Sequence, residues 1–107
     1  MTSLQQLRDT LNKGLYLNNL WELARLSKNL AMDIPHPLPF FVMRQVFLEI
    51  ARDWDERPLP VEEADFVRSK IAKPLEDLIA ALENDASSAE IFDALTAFVS
   101  GYLVTVK

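Results

Sequence analysis

Apolar residues recur at helical spacing through most of the chain, most densely over residues 40–54, FFVMRQVFLEIARDW. At 100° per residue, Phe40, Met43, Val46, Phe47, Ile50, Ala51 and Trp54 fall on one broad arc, with Gln45, Glu49, Arg52 and Asp53 on the opposite strip. Phe41 and Leu48 extend the apolar surface to a second side and Val42 narrows the polar strip, so this helix needs neighbours from more than one direction. It reads as the hub of a helical domain.

Before it, Ser3-Leu-Gln-Gln6 fits a capping box and opens a first helix with Leu4, Leu7 and Leu11 as its stripe. Lys13-Gly14 ends that helix, because glycine takes the left-handed conformation at little cost. Asn18 or Asn19 caps a second helix running to about Leu30. Leu20, Trp21, Leu23, Ala24 and Leu30 face inward on it, while Glu22, Arg25 and Lys28 stay wet. Prolines at 35, 37 and 39 then predict an extended loop over residues 31–39, with Ile34 and Leu38 tucked into the core and Pro39 in the first turn of the central helix.

The central helix stops near Asp53 to Asp55, and Pro58-Leu-Pro60 marks a turn. From Val61, the residues Ala64, Val67, Ile71, Leu75, Leu78 and Leu82 hold one helical phase straight through Pro74. Either one helix kinks there or a new helix starts with Pro74 in its first turn; the unbroken phase favours the kinked helix. Ser87-Ser-Ala-Glu90 repeats the capping box, and the last helix, with Ile91, Phe92, Leu95, Phe98, Val99, Tyr102 and Leu103, is apolar on most sides. Gly101 lies inside it at a cost of about 1 kcal/mol relative to alanine, which a close helix crossing explains. The β-branched tail after Leu103 is free to fray or extend. With only two glycines and no Asn-Gly or Asp-Gly pair, nothing signals a hairpin. The expected fold is all-α: a single-domain bundle of about five helices over residues 1–107, with residues 40–54 and 91–103 at its centre and the first helix outside.

Composition narrows the function. A chain of 107 residues buries roughly 60–70% of its unfolded surface, and with half of its residues apolar it has surface to spare for a partner. The absence of cysteine excludes disulfides, zinc-thiolate sites, iron–sulfur clusters and thiol nucleophiles. The net charge of −5 is uneven: residues 1–54 hold six Lys/Arg against five Asp/Glu, and residues 55–107 five against eleven. The nearest thing to a basic stripe, Arg68, Lys70 and Lys73, is hemmed in by Glu62, Glu63, Asp65, Glu76 and Asp77, so it reads as a solvated face and nucleic acid is not an expected partner. The first ten residues show neither a secretory nor a transit pattern, which makes a cytosolic protein the expectation. The uncharged run 94–106 is too short to span a bilayer, so no membrane partner is expected.

Chemistry-bearing residues are sparse. The one histidine, His36, sits between Pro35 and Pro37 with Asp33 as its only nearby carboxylate, which is no metal set, and neither a serine elbow nor a glycine-rich phosphate loop occurs. Arg52-Asp53-Trp54-Asp55-Glu56-Arg57 reads as exposed, mutually neutralising charge. Arg44 falls inside the apolar sector of its helix and must snorkel to solvent or find a carboxylate; an ion pair with an acidic residue of the second half is the expectation, with an anion or partner contact as the functional alternative. No catalytic residue, cofactor or metal is expected, and any enzyme reading would start from Arg44, Asp53 and His36. These observations point to a non-enzymatic helical protein that binds protein, first of all a second copy of itself, with Pro35, His36, Pro37, Arg44, Phe98 and Tyr102 as interface candidates. The competing expectation is a carrier holding an apolar ligand among Phe40, Met43, Phe47, Trp54 and Phe98.

Overall fold

The computed structural model describes residues 3–33, 37–57 and 59–106. Among them run five α-helices and no strand: α1 (Leu4–Asn12), α2 (Leu17–Asp33), α3 (Leu38–Glu56), α4 (Val61–Glu83) and α5 (Ser88–Thr105). The all-α class is therefore the one that the periodicity predicts. By its internal contacts the chain divides into two compact units, residues 1–58 and 59–107, which are taken in turn.

In the first unit α1 packs on α2, and α2 on α3. The predicted capping box opens α1: the Ser3 hydroxyl accepts from the Gln6 N–H at 3.2 Å, and the Ser3 N–H donates to Gln6 Oε1 at 2.7 Å. Gly14 ends the turn after α1 with φ +103°, a conformation that glycine alone adopts without strain. A Cβ there would also stand 2.6 Å from the Tyr16 ring. Asn19 does not cap α2. The helix has already begun at Leu17, and the Asn19 amide reaches back to donate to the Gly14 carbonyl at 2.8 Å.

α2 runs on to Asp33 and buries Leu20, Leu23, Ala24, Leu26, Ser27 and Leu30. Trp21, expected inside, is exposed, while Leu26 takes an inward place. Seventeen residues offer α1 and α3 more than one stripe to cover, and Trp21 lies off it. α3 has Pro37 at its N-cap and Pro39 within its first turn, where a missing N–H costs nothing, and it ends at Glu56, one residue past the predicted stop near Asp53 to Asp55. It buries Phe40, Met43, Val46, Phe47, Ile50 and Ala51, the arc read from the sequence except for Trp54, which is half-buried.

The second unit is the antiparallel-type pairing of two helices in contact, α4 with α5. α4 is continuous through Pro74, so the unbroken phase is the correct guide. Pro74 has no N–H to offer the Lys70 carbonyl one turn earlier. Gly101 of α5 sits against that carbonyl: a Cβ at Gly101 would overlap the Lys70 oxygen and lie 3.3 Å from its carbon. The close crossing expected from a mid-helix glycine is thus real, and it falls where proline has loosened the α4 backbone. Ser87 caps α5 by accepting from the Glu90 N–H at 3.2 Å, and its hydroxyl meets the Glu90 carboxylate at 3.3 Å. The tail extends the helix, which reaches Thr105. α5 buries only Leu95 and Phe98, so its expected place as a core helix covered on most sides is corrected: one side of it is open.

Candidate functional site

Between the C-terminal turns of α2 and the N-terminal turns of α3 lies a groove of about 740 Å³, lined by Lys28, Ala31, Met32, Pro37, Leu38, Phe41 and Arg44. Its walls follow from helical spacing. Lys28, Ala31 and Met32 stand three and four residues apart on α2, and Leu38, Phe41 and Arg44 stand three apart on α3, so each helix offers one continuous stripe. Met32 is 73% exposed, Leu38 60% and Phe41 50%, an unusual concentration of open apolar area on so small a patch.

The charge in the groove is of one sign. The Arg44 guanidinium donates to Gln45 Oε1 at 3.1 Å. Among the described residues, neither Arg44 nor Lys28 has a carboxylate within ion-pair distance. The Arg44 side chain lines the groove, as a snorkelling arginine does. Other cations are engaged: Arg25 with Glu22, Arg57 with Asp53 at 3.2 Å, Arg68 with Asp65 and Lys73 with Asp77, both at 2.8 Å. Lys70 stands 5.4 Å over the Phe66 ring.

The structure brings Arg44 and Pro37 together on this groove. Pro35 and His36 lie outside the described residues. Phe98 and Tyr102 belong to α5, where Phe98 is fully buried and Tyr102 half-buried, so Phe98 is a core side chain rather than a surface one. Leu38, expected to tuck inward, is exposed because it opens α3 at the groove mouth. The sequence reading missed Met32 and Leu38 as surface residues and took Lys28 as merely wet; the i, i+3, i+4 stripe across a proline-broken helix pair is the signal that finds them.

A second open surface lies on α5. Phe92 is 63% exposed, Leu103 59% and Val104 63%. With Ala89, Glu90, Asp93, Thr96, Ala97 and Ser100 they fill one arc of about 160° at 100° per residue. The buried Leu95 and Phe98 lie on the opposite side.

Among the described residues, no group of three or more His, Asp or Glu side chains is placed to hold a metal ion, and no helix is long and apolar enough to cross a membrane. Asp53 is taken up by its exposed ion pair with Arg57. Comparison with family models, with curated proteins and with solved structures gave no match.

Proposed function

We propose that this chain is a non-enzymatic protein-binding module whose first partner is a second copy of itself. The observation that carries the proposal is the groove of the first unit, where three large apolar side chains stand at least half exposed beside two cations that, among the described residues, have no carboxylate within ion-pair distance. Covering such a patch releases apolar surface from water at roughly 25 cal/mol per Å², and a protein segment fits an open groove better than a small molecule does. The carrier reading draws less support, since Phe40, Met43 and Phe47 are buried to within 2% in the packing of their unit. Light scattering behind size exclusion across a concentration series tests the proposal. We expect a dimer that dissociates on dilution, and a monodisperse monomer up to the highest attainable concentration would sink it.

A further inference from the structure

We infer that the groove of the first unit receives the open face of α5 from a second copy, with Phe92 entering between Lys28 and Arg44; this rests on the protein-binding reading above. The groove supplies an apolar floor and two cations that have no carboxylate partner among the described residues, so an occupant gains most by bringing an apolar side chain flanked by carboxylates. α5 has that arrangement. Phe92 is exposed, Glu90 and Asp93 beside it are exposed, and residues 74–106 contain no Lys or Arg to neutralise them. Charge over the chain has the same sense: residues 1–58 hold seven Lys/Arg against seven Asp/Glu, and residues 59–107 four against nine.

Shape agrees with charge. α5 is 18 residues, about 27 Å long, and Ala89, Thr96, Ala97 and Ser100 keep its open face low enough for a neighbouring helix pair to approach. The other acidic and apolar stretch, the start of α4, is a poorer candidate. There Asp65 is already paired with Arg68, and Lys70 already covers the Phe66 ring. One chain carries both the groove and the helix that fills it, so two copies that exchange these contacts reciprocally about a two-fold axis would form a closed dimer.

The test uses the full chain in three forms at low salt: wild type, Lys28→Glu/Arg44→Glu, and Glu90→Lys/Asp93→Lys, with circular dichroism and melting to check that each folds. Each reversed variant alone should dimerise at least tenfold more weakly than wild type, through like-charge contact. Mixed in equal amounts they should form a mixed dimer of near wild-type affinity, since every groove again meets the opposite charge. A wild-type dimer indifferent to both variants, or two weakened variants that mixing fails to rescue, overturns the inference while leaving self-association standing. A wild type that never dimerises overturns both. Phe92→Ser and Met32→Ser, single changes at exposed positions, read the same contact without charge reversal. Each should also weaken the dimer at least tenfold, and a dimer lost with Phe92→Ser but unchanged with Met32→Ser would place α5 against something other than the groove and overturn the inference.

Discussion

α3 has 19 residues and α5 has 18, and α5 is the more apolar, with two charged side chains against six, yet α3 buries six residues and α5 only two. The difference lies in what surrounds them. α3 packs on α2, itself backed by α1, and its wide apolar arc is largely used up in that contact. α5 leans on α4 through one narrow seam, centred on Leu95, Phe98 and Gly101. Apolar composition sets how much of a helix is suited to burial, and the number of neighbours sets how much is buried. The surplus on α5, and the smaller one at the mouth of α3, are the apolar surfaces that the proposed self-association would cover.

The largest effects come from the two phenylalanines at the centres of these seams. Phe47→Ala in α3 and Phe98→Ala in α5 should each cost about 3–5 kcal/mol in urea unfolding, because both side chains are fully buried. Phe41→Ala and Phe92→Ala, on the open sides of the same helices, should cost roughly 0.5 kcal/mol or less in dilute protein. A loss at Phe92 as large as that at Phe98 would mean that the outer face of α5 is covered within one chain, and the contrast between the helices would collapse.

Gly101 sharpens the comparison from the side of the backbone. In an exposed helix, glycine to alanine stabilises by about 1 kcal/mol. Here the new methyl group meets the Lys70 carbonyl, which is backbone and yields little, so Gly101→Ala should instead cost about 1–3 kcal/mol. A gain in stability would show that the α4–α5 seam yields to make room for the methyl group.

Much of this was legible in the residues. Helical phase through Pro74, the cap at Ser3, the left-handed turn at Gly14 and the crossing at Gly101 are local matters of sterics and hydrogen bonding, and local sequence decides them. The groove was legible only in part. Arg44 stood out because a charge in an apolar sector needs an explanation, and Pro37 because proline shapes the approach to α3. Met32 and Leu38 did not stand out, since an apolar side chain at helical spacing looks the same whether a neighbour covers it or water does. Trp21 and the open side of α5 were misjudged for the same reason.

The cover over the first unit has one flaw. Ser27 lies on the buried face of α2, and among the described residues its hydroxyl has no hydrogen-bond partner. A buried polar group without a hydrogen bond carries a desolvation penalty, so Ser27→Ala should raise stability by about 1 kcal/mol. That gain would improve the better-packed half of the comparison and leave dimerisation, measured by light scattering, unchanged. A loss would reveal a hydrogen bond made by that hydroxyl in solution.

The smallest effect belongs to the wet side of α2, where Glu22 pairs with Arg25. The hydrogen bond from Arg25 holds the Glu22 carboxyl below the usual glutamate range; desolvation opposes it, and the charges of Arg25 and Lys13 add smaller lowering effects. A carboxyl whose pKa is lowered on folding contributes stability that is complete above the unfolded-state value and is lost as pH falls through the folded-state value. Glu22→Gln should therefore lower the urea midpoint slightly at neutral pH, and the gap should close as acidification passes through the folded-state value, below which wild type has also lost the charge. Both side chains are largely exposed, so the effect is small and added salt should shrink it further. A gap that persists in acid would assign the loss to the packing of the Glu22 stem on α2, and would make even this exposed position part of the cover that α5 lacks.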